Sequence, residues 1–139
     1  MEIFEAYSHA TVSVAAFALL TLILAGWSSA AKGRAGVVSG GAPEADYANP
    51  AYRLYRAHMN AVEMVGPFTA VTLAAILAGA SPLWVNWLAS IFFVSRLVHA
   101  WVHVSGKGKP DGGLRSWVFV VGMVMCVLLG LMAIVAGFM

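Results

Sequence analysis

The sequence predicts an all-α protein, a bundle of four transmembrane helices forming a single integral-membrane domain over residues 1–139. Three observations predict it. Apolar residues make up 61% of the chain and charged residues only 10%, whereas a soluble domain carries about 25% charged residues. So few charges cannot make a water-facing surface, so lipid has to cover much of this one. Four segments reach the length of about 20 mostly apolar residues that a helix needs to cross the hydrocarbon core: Tyr7–Ala31, Arg53–Gly79, Pro82–Val104 and Leu114–Met139. The links between them are polar or rich in Gly and Pro.

The first span follows Glu2 and Glu5 rather than a basic segment, and it is longer than the apolar stretch of a signal peptide, so it reads as a retained helix. Lys32–Tyr52, with Glu44 and Asp46 among Gly, Ala and Pro, reads as a polar loop. The second span carries Pro67, which predicts a local kink. Only Gly79-Ala80-Ser81-Pro82 separates spans two and three, which forces them to be antiparallel neighbours. Ser105–Gly113, with Lys107, Lys109, Pro110 and Asp111, is another turn. The fourth span is apolar and Met-rich, suited to packing and lipid contact; its Cys126 is the only cysteine, which excludes an internal disulfide framework and reads as a packed thiol. Tryptophans 27, 84, 87, 101 and 117 gather toward span ends, as interfacial anchors do.

The basic residues set the topology. Lys32, Arg34, Arg53 and Arg56 flank the first loop, and Lys107, Lys109 and Arg115 the third. The termini and the 79–82 turn carry none, so the positive-inside rule places both basic loops in the cytoplasm and both termini outside. A net charge of +2 is too small to suggest a nucleic-acid partner.

Span two has a polar stripe at its cytoplasmic end, Arg53, Arg56, Asn60 and Glu63, at helical spacing; span three has Arg96, His99 and His103. Ionisable groups in membrane helices are costly and by default face the bundle interior with a partner. In an antiparallel hairpin, residues at equal depth have position numbers with a constant sum. About the 79–80 turn, Glu63 then meets Arg96, Asn60 meets His99, and Arg56 meets His103. At about 1.5 Å per residue, Glu63 and Arg96 lie roughly 25 Å from the turn. The expectation is one graded site, running from a buried Glu63–Arg96 ion pair up to the cytoplasmic rim. That ion pair serves equally well as a structural lock on helix register, and Arg53 and Arg56 as topology anchors.

The chemistry suits a small zwitterionic ligand entering from the cytoplasm: arginines take carboxylates, Glu63 takes an ammonium, and Asn60 and the histidines bond amides. Arg115, at the start of span four, could favour the thiolate of a bound thiol, and Ser116 beside it could donate to the sulfur. His99 and His103 have no HExxH motif and no nearby acid on their helix, so the site is expected to hold neither metal nor haem.

At these residues the sequence resembles the membrane-associated proteins in eicosanoid and glutathione metabolism, the MAPEG superfamily. It is most similar to the branch of microsomal prostaglandin E synthase and microsomal glutathione transferase. The motifs that carry this are Arg56-Ala57-His58-Met59-Asn60-Ala61-Val62-Glu63, then Pro67-Phe68, then Phe93-Val94-Ser95-Arg96-Leu97-Val98-His99. They fall within a stretch from about Arg53 to Ser116; the outer spans match in length and hydrophobicity alone. The resemblance implies a homotrimer with glutathione bound between neighbouring subunits, open to the cytoplasm. Carried over by motif, Asn60, Glu63, His99 and His103 contact glutathione, with Arg56 and Arg96 in the same stripe. Arg115 stabilises the thiolate with Ser116 adjacent, and Lys32 or Arg34 reaches in from a neighbouring subunit. His103 stands where the family usually has Tyr, and Met59 where the prostaglandin synthase branch has Arg.

The function expected is that of an enzyme activating the glutathione thiolate against a lipophilic electrophile or peroxide that arrives through the bilayer, by conjugation, isomerisation or reduction. A non-catalytic, lipid-binding scaffold is the alternative, and a transporter or proton relay a third. The short chain without an obvious targeting tail points to a bacterial inner membrane rather than the endoplasmic reticulum.

Overall fold

The computed structural model describes residues 5–107 and 112–139. Glu2 and the part of the third link that holds Lys109, Pro110 and Asp111 lie outside them. The described chain is helical: α1 is Ser8–Arg34, α2 Pro50–Leu77, α3 Pro82–Ser105 and α4 Leu114–Gly137. All four are long and apolar enough to cross a membrane. The chain is an integral multi-pass membrane protein.

The helix ends follow from local chemistry. α2 begins three residues before the expected Arg53, because the Asn49 side chain accepts from the Ala51 N–H at 2.9 Å and Pro50 occupies the first turn. Its 28 residues span about 42 Å, more than the ~30 Å hydrocarbon core, so about two turns stand at the interface. α1 runs on to Arg34, with Lys32 and Arg34 in its last turn, where cations complement the helix dipole. α3 ends at Gly106, whose φ of 67° needs a residue without Cβ. Pro67 sits inside α2 and cannot donate to the carbonyl of Glu63, four residues back.

α1 has no cap of its own; α3 supplies it. Asn86 Oδ1 accepts from the Ala10 N–H at 2.9 Å while its Nδ2 donates to the Ala6 carbonyl at 2.8 Å. The Tyr7 hydroxyl donates to the Ala80 carbonyl in the α2–α3 turn. These bonds tie the first helix to the hairpin at the membrane face opposite the basic loops. Further along α1, Ser13 and Thr21 donate to carbonyls one turn back, at 2.7 and 2.9 Å, so their hydroxyls are satisfied within the helix.

α2 and α3 pack on each other and on both outer helices, with α1 and α4 on opposite sides of the pair. Mid-bundle, Phe17, Phe68 and Phe92 are at most 1% exposed. Phe68 stacks on Phe92 at 3.8 Å between centroids, and Phe17 meets them edge-on at 5.9 and 5.1 Å. Such pairs contribute about 0.5–1.5 kcal/mol each beyond their buried area. This aromatic plug fills the interior below the polar end, where the transporter reading requires an aqueous path.

Candidate functional site

A cavity of about 250 Å3 opens at the end of the bundle that carries the basic loops. α2 contributes Arg56 and Asn60, α3 His99 and His103, and α4 Arg115, Ser116, Phe119 and Val120. Tyr47, from the loop before α2, completes the wall. Asn60, His99 and His103 are buried at 8%, 3% and 4% exposure, and Arg56, Arg115 and Ser116 are half-buried.

The polar groups in this wall are largely unspent. Asn60 donates Nδ2 to the Arg56 carbonyl at 2.8 Å, which holds its side chain in place. His103 Nδ1 is buried without a hydrogen-bond partner. The His99 and His103 rings lie 4.6 Å apart, and His99 is 5.9 Å from the Phe119 ring. Two guanidiniums and two imidazoles converge here, and among the described residues the wall contains no carboxylate. A cationic surface of that kind favours an anion, with arginines suited to carboxylate or thiolate groups.

The expected Glu63–Arg96 ion pair is not formed. Arg96 is 2% exposed and Glu63 is exposed on the outside of α2. The guanidinium of Arg96 lies 5.3 Å from the centroid of the Phe119 ring, behind the cavity wall, and its Nη1 has no hydrogen-bond partner. Equal depth fixes height along the hairpin but not direction around the helix. At about 100° per residue, Glu63 points roughly 140° away from Phe68, which faces the core at 0% exposure. The steps from Arg53 to Glu63 likewise accumulate a rotation of about 80°, so the stripe winds off the core-facing side at its deep end.

Over residues 10–135 the chain matches the family model described as MAPEG family. It belongs to that family. Compared singly with curated proteins and with solved structures, it matches none.

Of the nine residues singled out from sequence, this MAPEG chain brings Arg56, Asn60, His99, His103, Arg115 and Ser116 around one cavity. Glu63 and Arg96 stay outside it for the reason given. Lys32 is engaged elsewhere: its Nζ donates to the Gly41 carbonyl at 3.0 Å and lies 5.6 Å from the centroid of the Tyr55 ring. Tyr47 and Phe119 are wall residues that sequence reasoning did not reach. Phe119 was accessible from spacing, one turn after Arg115 on the same face of α4. Tyr47 was not, because it comes from a loop whose path depends on Arg53. Arg53 Nη1 donates to the Tyr47 and Ala48 carbonyls at 2.8 and 3.0 Å. The guanidinium lies so close to Gly106 that a Cβ there would meet its Cζ at 2.9 Å. Arg53 thus fastens the loop to the end of α3, a structural role in addition to the topology anchor expected of it.

Proposed function

We propose that this MAPEG protein binds glutathione in the cavity and stabilises its thiolate for attack on a lipophilic electrophile, as in the microsomal glutathione transferase and prostaglandin E synthase branch. The observation that carries the reading is the wall itself: Arg56, Arg115, His99 and His103 face one space with no acid among them. Glutathione has two carboxylates, one ammonium and a thiol, so it is anionic and becomes more so when the thiol ionises. Arg56 and Asn60 suit a carboxylate and an amide of the peptide. Arg115, paired with the Ser116 hydroxyl, suits the sulfur, lowering the cost of releasing its proton to solvent. The thiolate then forms the carbon–sulfur bond while the electrophile expels a leaving group or takes up the electron pair and a proton from water. With a peroxide the thiolate attacks oxygen, the O–O bond breaks, and the alkoxide leaves and is protonated by water. A second glutathione then converts the sulfenic acid to the disulfide and water. Glu63 is outside the wall, so the ligand's ammonium finds no acid among the described residues of the cavity.

The outward position of Glu63 also supports a homotrimer. A carboxylate midway along a membrane helix is costly against lipid and calls for a cover of protein; α2 of this chain presents it to whatever packs there. With the basic loops in the cytoplasm and both termini outside, the cavity opens to the cytoplasmic glutathione pool.

Stopped-flow ultraviolet absorbance after mixing purified protein with glutathione tests this. Wild type is expected to give a thiolate signal, and Arg115→Ala to reduce it at least about tenfold, the order of one lost charge-assisted contact. A silent wild type favours the non-catalytic scaffold.

A further inference from the structure

We propose that Tyr47 is a positioning residue that holds Arg115 at the cavity by the face of its guanidinium, leaving the N–H edge for an anionic ligand. The inference rests on the anion-binding reading of the cavity. The Arg115 guanidinium lies 4.7 Å from the centroid of the Tyr47 ring, within the range of a cation–π contact. In the stacked form of such a contact, assigned here, the flat face of the cation meets the ring and none of its five N–H donors is spent.

The position needs a holder because, among the described wall residues, its charged neighbour Arg56 repels it. The groups of the wall that face Arg115 are Arg56 from α2 and His99 and His103 from α3. An added cation is unfavourable beside Arg56 and beside either histidine once protonated. Among the described wall residues, the Tyr47 ring is the attractive partner. It is itself held from two sides: edge-on by Tyr52 at 5.2 Å, and through its backbone carbonyl by Arg53 at 2.8 Å. It also lies 6.3 Å from the His103 ring, so the same side chain covers part of the cavity mouth. Arg53 and Tyr47 together thus transmit the fold of the loop to the orientation of Arg115.

Two measurements on full-length Tyr47→Phe and Tyr47→Leu decide it. The first is the rate at which phenylglyoxal modifies Arg115, read by mass spectrometry of the α4 peptide. Tyr47→Leu should accelerate modification roughly three- to tenfold, the loss of one cation–π contact, and Tyr47→Phe should match wild type because the ring face is kept. The second is the pH midpoint of glutathione thiolate formation, which should rise in Tyr47→Leu and stay put in Tyr47→Phe. Equal modification rates in wild type and Tyr47→Leu overturn the proposal. A wild type that forms no thiolate counts against the glutathione reading alone, since the modification rates still decide the role of Tyr47.

Discussion

Replacing Gly122 with alanine probes the contact that sets α4, and with it Arg115 and Ser116, against α3. A Cβ on Gly122 would lie 2.8 Å from Ser95 Oγ, closer than nonbonded atoms tolerate, and 3.4 Å from Arg96 Cδ, an ordinary contact. The Ser95 hydroxyl is poorly placed to yield. It is 6% exposed and donates to the Phe92 carbonyl at 2.6 Å. Overpacking of this kind costs about 1–3 kcal/mol, and breaking the hydroxyl's bond instead costs about 1 kcal/mol. Alanine returns about 0.8–1 kcal/mol through its better helix propensity, so Gly122→Ala alone should lose between about 0 and 2 kcal/mol according to which route is taken. In a Ser95→Ala background the obstructing oxygen is gone and the propensity gain survives, so the same change should be neutral or stabilising. The coupling between the two positions should therefore exceed about 1 kcal/mol. Reversible unfolding of the four proteins in mixed micelles, driven by sodium dodecyl sulfate and followed by circular dichroism, measures it. The reasoning fails if Gly122→Ala is more stable than the parent with Ser95 present, or if alanine at 122 gains nothing further in the Ser95→Ala background.

Two further outcomes follow from other contacts. Asn86→Ala should destabilise the fold by about 1–2 kcal/mol and raise amide hydrogen exchange selectively in the first turn of α1, because the cap and the link to Ala6 go together; exchange unchanged there would refute it. Glu63→Gln and Arg96→Met should behave additively, to within about 0.5 kcal/mol in a double-mutant cycle. Arg96→Met alone should be neutral or stabilising, since it removes a buried charge that has no acidic partner among the described residues. Loss of several kcal/mol in either single variant, with strong coupling, would reinstate the ion pair.

Hydrophobic length and the placement of lysines and arginines were enough to predict four helices, the antiparallel α2–α3 hairpin and the end of the bundle that carries polar chemistry. These are properties of single segments. A run of apolar side chains in a membrane has to satisfy its backbone internally, and a helix is the way to do so within one segment. Four of the six residues that meet at the cavity were legible for a related reason: helical spacing puts Arg56 with Asn60, and His99 with His103, on matching faces, and the short turn brings those faces together. Arg115 and Ser116 were legible from their place at the start of span four and from the family resemblance. What the tertiary structure decided was direction around each axis and the course of the loop. Glu63 leaves the core because a stripe of three- and four-residue steps winds round the helix, and spacing alone does not reveal where it crosses the packing boundary. Arg96 stays inside because α4 offers it Gly122 and Phe119, a partner helix that local pattern does not specify. Tyr47 reaches the wall through Arg53 and the bare backbone of Gly106, a long-range fastening between a loop and another helix's end. Periodicity encodes neighbours along one helix; which partner each face meets is settled only when the helices pack.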